Sequence, residues 1–196
     1  YAQSVDPLAS EDYKAQNKWV DSIYNKLSLD EKIGQLFFVQ ATAKKINNSE
    51  KIISDIKNFK IGGIIFSSGN PTTQANLTNK YQNLSPLPLL ISMDAEWGVG
   101  MRLDSVLKFP WNMSLGALTN NLILEDIGSA VGDQLNRLGV HMNFAPVIDI
   151  NTNPKNPIIG NRSFGESKIN VSAKGIYFTR GLQSKNILAT GKHFPG

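Results

Sequence analysis

The stretch 187-ILATGKHF-194 begins as an apolar run and ends on a Lys-His pair. An apolar segment of this length that finishes on charged side chains has the form of a strand buried on both faces of a parallel sheet, with its carboxyl end opening toward a ligand. Four other stretches repeat the form: 36-LFFVQA-41, 61-IGGIIFSS-68, 87-LPLLISMD-94 and 140-VHMNFAPVID-149. Their near-continuous Ile, Val, Leu and Phe content predicts five parallel strands.

Helical patterns fill the spaces between them. Ser10, followed by Glu11 and Asp12, is expected to cap a helix that places Trp19, Val20, Ile23, Tyr24 and Leu27 on one face. Ser28 and Glu31 have the spacing of a capping box, and Asn70-Pro71 puts a cap residue before a proline at the first helical position. That second cap leads into Ala75, Leu77 and Tyr81. The segment 119–139 carries Leu122, Ile123, Ile127, Ala130, Val131, Leu135 and Leu138, and Gly139 suits its stop. A further helix is predicted from Ser167 to about Gln183.

Strands alternating with helices specify an α/β architecture with right-handed crossovers. Two layouts compete. An open doubly wound sheet can close with five strands, whereas a (β/α)8 TIM barrel needs eight and roughly 250 residues. At 196 residues, length alone favours the open sheet.

Composition narrows the function classes. With 41% apolar residues the chain can bury the core of one domain. The net charge of +4 rests on dispersed lysines with no base-stacking aromatics interleaved, which reads as solvated surface and excludes a nucleic-acid partner. The absence of cysteine rules out disulfides, thiolate metal sites and a cysteine nucleophile. His141 and His193 are not at ligand spacing, so no metal is expected. No strand is followed by a glycine-rich phosphate fingerprint, since 98-GVG-100 lacks the third glycine, and no cofactor is expected. No stretch reaches the roughly 18 apolar residues of a membrane span. The start 1-YAQS-4 suits the remnant of a secretory cleavage region or an arbitrary chain boundary. Asn-x-Ser/Thr sequons such as those at Asn47, Asn76, Asn112, Asn161 and Asn170 read as chance matches.

The polar residues collect at the predicted carboxyl ends of strands. Asp94 ends the third, with Glu96 two residues on and Arg102 eight residues on. A carboxylate and a planar guanidinium so placed can each hold two hydroxyls of a sugar ring, or they can simply pair with each other in the loop. The fourth strand ends at Asp149, and a long proline- and glycine-rich loop carries Arg162. Asp149 reads either as a group that fixes a neighbouring site residue or as a plain strand-terminal carboxylate. His141, at the start of that strand, reads as a core or bottom-face histidine. Lys192 and His193 are adjacent, so they leave a regular strand on opposite faces. Facing one ligand together requires a distorted peptide near them. A carboxylate-lined bowl of this kind fits a neutral hydroxylated ligand better than an anion.

The ordered set 94-DAEWG-98, 102-RL-103, 144-FAPVIDI-150, 162-RSFG-165 and 192-KHFPG-196 resembles the N-terminal barrel domain of glycoside hydrolase family 3, and 28-SLDEKIGQLFF-38 resembles that family's lead-in to its first strand. The Lys-His-Phe-Pro-Gly ending is similar to the bacterial β-N-acetylglucosaminidase branch. One departure stands out: the branch commonly reads Asp-Gln-Glu-Gly-Gly where this chain has 94-DAEWG-98, so Trp97 stands in place of a glycine.

The resemblance implies that Asp94, Arg102, Arg162, Lys192 and His193 hold the sugar in the subsite preceding the scissile bond. It also reverses the argument from length, because five strands become the first five units of a (β/α)8 barrel over residues 28–196, truncated at Gly196, after a leader and helix over 1–27. The implied activity is retaining removal of terminal β-linked N-acetylglucosamine from cell-wall or chitin-type glycans. The alternatives are a family 3 β-glucosidase or β-xylosidase, or a non-catalytic sugar-binding module. In the branch, an acid/base His with an Asp partner and the nucleophilic Asp follow the Lys-His-Phe-Pro-Gly motif. Both catalytic groups are therefore expected beyond Gly196, and neither role falls on a residue of this chain, which is expected to be a fragment of a longer hydrolase with further C-terminal domains. A periplasmic or secreted bacterial location is the matching expectation.

Overall fold

A computed structural model of the chain describes residues 12–44 and 48–195. In chain order its elements are α1 (Tyr13–Tyr24), α2 (Leu29–Gly34), β1 (Phe38–Ala43), α3 (Ser49–Phe59), β2 (Gly63–Gly69), α4 (Pro71–Leu84), β3 (Leu90–Met93), α5 (Asn112–Gly116), α6 (Leu122–Arg137), β4 (Met142–Asn143), α7 (Lys168–Gln183) and β5 (Leu188–Ala189). Single 3-10 turns lie at Val99–Met101 and Gly160–Arg162. All five strands are parallel, and each pairs with the next in sequence, in the order β1-β2-β3-β4-β5.

That order separates the two layouts. A doubly wound sheet reverses its strand order at a switch point, whereas a (β/α)8 barrel adds each strand beside the last. Among the described residues there are four β/α units of barrel type followed by the fifth strand, so the barrel layout implied by the resemblance is the one present and the open sheet that length alone favoured is not. Gly196, at which the barrel is expected to be cut and beyond which the catalytic groups are expected, lies outside the described residues, so the structure leaves that expectation where the sequence put it.

The caps explain where the helices start. Ser28 Oγ accepts from the Glu31 N–H while Glu31 Oε2 accepts from the Ser28 N–H, closing the expected capping box. Asn70 Oδ1 accepts from Thr72 and Thr73 ahead of α4. Gly139 takes the left-handed conformation (φ 66°) just after α6. Ser167 caps α7.

Helices cover one face of the sheet. Ile52 and Ile56 of α3, Leu77 and Tyr81 of α4, Val131 and Leu135 of α6, and Phe178 and Leu182 of α7 join Ile64, Phe66, Ile91 and Met93 in one buried cluster. Phe66 stacks on Tyr81 with centroids 6.5 Å apart. Helices α6 and α7 touch backbone to backbone, because Gly128 and Gly181 face the neighbouring helix: a Cβ on Gly181 would lie 2.1 Å from the Glu125 carbonyl oxygen.

Several expectations change. Ser10 and Glu11 lie outside the described residues; Asp12 caps α1, its carboxylate accepting from the Ala15 N–H at 2.9 Å. The apolar face read for α1 is not buried: Trp19 is 58% and Tyr24 56% exposed. The run from Leu36 is not buried on both faces either, since Leu36 and Phe37 precede β1 and are exposed and β1 is an outer strand. Hydrophobic periodicity reports which face is apolar and says nothing of whether a neighbour covers it. The fourth run is also shorter as a strand than expected. Its ladder ends at Asn143, Pro146 beyond it has no N–H to donate, and pairing returns as an isolated bridge between Val147 and Lys192. His141 sits at the start of β4, the end away from Asp149, and its Nδ1 accepts from the Ile91 N–H at 3.1 Å.

Gly181→Ala should destabilise the protein by about 1–3 kcal/mol, because helix backbones must separate to admit the methyl group. Urea denaturation of the purified protein measures it, and an unchanged midpoint would show that the two helices are free to move apart.

Candidate functional site

The site grows from the end of β3. Asn143 of β4 is fully buried, and its side chain grips the peptide of Ala95: the Ala95 N–H donates to Oδ1 at 2.9 Å and Nδ2 donates to the Ala95 carbonyl at 3.2 Å. Asp94 and Glu96, on either side of this anchored peptide, face the same way, since one Lys192 Nζ meets both.

Three cations converge on these two carboxylates. Arg102, delivered by the 3-10 turn after β3, donates Nη2 to Asp94 Oδ2 at 2.7 Å. Lys192, at the end of the fifth unit, places Nζ 2.8 Å from Asp94 Oδ1 and 2.7 Å from Glu96 Oε1. Arg162 clamps Glu96 with two parallel bonds, Nε to Oε2 at 2.9 Å and Nη2 to Oε1 at 2.8 Å. Its Nη1 donates to the Ile158 carbonyl at 3.2 Å, and its own carbonyl accepts from the buried Asn112 Nδ2 at 2.8 Å.

His193 closes the chain of contacts. Its backbone N–H and its Nδ1 both meet Asp149 Oδ2, at 3.3 and 2.7 Å. The network therefore assigns the ring proton to Nδ1 and leaves Nε2, 3.4 Å from Arg162 Nη2, as the acceptor. Asp149 is anchored in turn, as its carbonyl accepts from Ser163 Oγ at 2.6 Å. The Lys192-His193 peptide is cis, as is Phe194-Pro195. The distortion expected near this pair is thus at the Lys-His bond itself, and both side chains reach the same cluster.

Electrostatics follow from this geometry. Burial pushes the Asp94 carboxyl up, but hydrogen bonds and charges from Lys192 and Arg102 outweigh it and hold the group below its ordinary range. Glu96 is likewise raised by burial and more strongly lowered by Arg162 and Lys192. The Glu96 hydrogen bonds raise Arg162 in return. Among the described residues no cluster of His, Cys, Asp or Glu could hold a metal ion, and no helix is long and apolar enough to cross a membrane.

All six residues singled out from sequence therefore meet: Asp94, Arg102, Arg162, Lys192 and His193 around one bowl, with Asp149 behind His193. Both readings of Asp94 and Arg102 remain compatible, because the two do pair and still face the bowl. Glu96 and Asn143 were missed. Glu96 is only 1% exposed yet carries three of the bonds above, and Asn143 was legible as a lone amide inside the apolar run 140-VHMNFAPVID-149. Trp97 lies one residue from Glu96 with its ring 4.2 Å from that of Trp111. Of the sequon asparagines, Asn112 is buried and Asn170 donates to the Gly116 carbonyl at 3.0 Å, so neither amide is available to a glycan, while Asn47 lies outside the described residues.

The Glycosyl hydrolase family 3 N terminal domain matches residues 28–196. This chain belongs to that family. Among family 3 relatives, Beta-hexosaminidase A of Pseudoalteromonas piscicida is 36% identical over 154 residues, covering 72% of this chain and 26% of the relative. Beta-hexosaminidase LpqI of Mycobacterium tuberculosis is 30% identical over 174 residues, covering 87% and 44%. Among solved structures, the beta-glucoside phosphorylase BglX bound to 2FGlc superposes with a TM-score of 0.87 at 27% identity, over 93% of this chain and 33% of that one. A family 3 beta-N-acetylglucosaminidase from Paenibacillus gives 0.78 at 36% identity, over 87% and 34%. The chain thus spans less than half the length of each of these four family members.

Because Asp94 and Glu96 have pKa values lowered by folding, the unfolded chain takes up protons first as pH falls. The stability they contribute is present above the ordinary carboxylate range and is lost as pH drops through their folded values. Melting temperature should fall below about pH 4, and Glu96→Gln should make that fall shallower. Superimposable acid limbs for the two proteins would contradict the assignment.

Proposed function

We propose that this chain supplies the sugar-holding part of a retaining exo-glycosidase that removes terminal β-linked N-acetylglucosamine from cell-wall or chitin-type glycans. The carrying observation is the Asp94 carboxylate, which is fixed between Lys192 and Arg102 at the carboxyl ends of parallel strands. A carboxylate held in this way is pre-organised to accept hydrogen bonds from the hydroxyls of a pyranose, while the remaining hydrogens of Lys192 and Arg102 offer donors and His193 Nε2 a further acceptor. The hexosaminidase names among the 30–36% identical relatives support N-acetylglucosamine as the sugar. In this reading the nucleophile and the acid/base are supplied by chain beyond Gly196, in keeping with the greater length of the relatives. A periplasmic or secreted bacterial setting accompanies the cell-wall substrate.

The full-length protein should cleave 4-nitrophenyl β-N-acetylglucosaminide faster than 4-nitrophenyl β-glucoside. The reverse preference would replace the reading with a β-glucosidase, and binding of N-acetylglucosamine without cleavage of either would leave a sugar-binding module. A second reading is favoured by the close superposition on a beta-glucoside phosphorylase: transfer of the glycosyl group to phosphate instead of water. Running the same assay with inorganic phosphate and looking for a glycosyl phosphate separates the two.

Asp94→Ala in the full-length enzyme should raise KM and lower kcat together, reducing kcat/KM by roughly 10²-fold or more, since hydroxyl contacts strengthen in the transition state. Unchanged kinetics would remove Asp94 from the site.

A further inference from the structure

A bowl that binds a neutral sugar has to solve a problem of charge. Arg102, Arg162 and Lys192 meet in one partly buried cluster, and three cations gathered in this way attract anions unless they are offset. Asp94 offsets only part of that charge, and Asp149 is turned toward His193. The remaining compensation comes from Glu96, which is shielded from solvent and whose two oxygens are used by Arg162 Nε, Arg162 Nη2 and Lys192 Nζ. The three cations are thus paired with Asp94 and Glu96 alone, and Lys192 is shared between the two.

Glu96 also decides which donors remain for a ligand. The Nε of Arg162 and one edge of its fork are taken, and Nη1 is already donating to Ile158. Arg162 is therefore left without the open bidentate face with which arginine recognises carboxylates and phosphates.

We propose that Glu96 is the residue that sets the specificity of this site for neutral sugars: by occupying Arg162 and Lys192 together, it holds them in place and offsets their charge, so that uronic acids and other anionic sugars are rejected. Glu96 is a positioning residue, acting on the sugar through the two cations. The assignment rests on the reading that the bowl binds a pyranose, and it extends that reading to the charge of the pyranose.

The test compares N-acetylglucosamine with glucuronate, a ring of similar size that carries a carboxylate, by titration calorimetry on the full-length protein and its Glu96→Gln variant. The wild type should bind N-acetylglucosamine and bind glucuronate at least about tenfold more weakly. In Glu96→Gln, N-acetylglucosamine should weaken by about tenfold or more, the scale of losing charge-assisted bonds. Glucuronate should bind more tightly than in the wild type, and added salt should erase that gain. A purely structural role would weaken both ligands alike, and that result, or an unchanged ratio, overturns the proposal. Wild-type protein that binds neither sugar would sink the sugar reading itself and this inference with it. Should Glu96→Gln fail to fold, Glu96→Asp decides: it retains the charge, so glucuronate must still be rejected while N-acetylglucosamine weakens, and new glucuronate binding in that variant overturns the idea.

Discussion

A carboxylate with almost no contact with water stays ionised only where cations meet it, and Glu96 is met by two that arrive from different parts of the chain. Arg162 comes from the long loop after β4, and Lys192 from the end of the fifth unit. Satisfying one buried side chain therefore fixes the relative positions of three consecutive β/α units at their carboxyl ends. Asp94 repeats the device one layer further out, where Lys192 is shared and Arg102 replaces Arg162. Lys192 bonds to both carboxylates and so couples the two pairs into one network. The cost of burying so many charges is met by short, well-aligned hydrogen bonds instead of by solvent.

The fold beneath this network is built from ordinary parts. Parallel strands added in sequence order put every strand's carboxyl end on the same rim, and the loops that follow are the only segments that can reach one another across it. The glycines where α6 meets α7 let those helices approach closely, which draws the third and fourth units together under the loop that carries Arg162. Asn143 then uses a side chain to do what the interrupted β4 ladder does not, tying the end of β3 to its neighbour.

Much of this was legible in the sequence, for identifiable reasons. Strand positions, the Ser28 and Glu31 capping box, the Asn70-Pro71 start and the Gly139 stop depend on residues within a few positions of one another, and local chemistry determines them. Asp94, Arg102, Arg162, Lys192 and His193 were legible as polar residues at strand ends or in the loops beside them, and it was the resemblance to the family that joined them into one sugar-holding set. Glu96 was passed over as a site residue because its partner Arg162 lies 66 residues away, and no local pattern distinguishes a buried glutamate from a solvated one. Its agreement with the Glu of the Asp-Gln-Glu-Gly-Gly pattern was the one signal that pointed to it. The exposure of Trp19 and Tyr24 was unreadable for the same reason, since periodicity describes a helix and burial describes its neighbours. The strand order settled what length had argued wrongly, because pairing partners are a property of the sheet and not of any single run.

The bond from Lys192 to Asp94 spans 98 residues of chain, and this gives the site an order of assembly. During synthesis the two carboxylates after β3 emerge long before the lysine that joins them, and Arg162 emerges in between. Until the fifth strand docks, Asp94 and Glu96 have only their arginines, and water must do the rest. Of the side chains that pair with Asp94 and Glu96, Lys192 is the last to be synthesised, and its bonds require the fifth strand to lie beside β4.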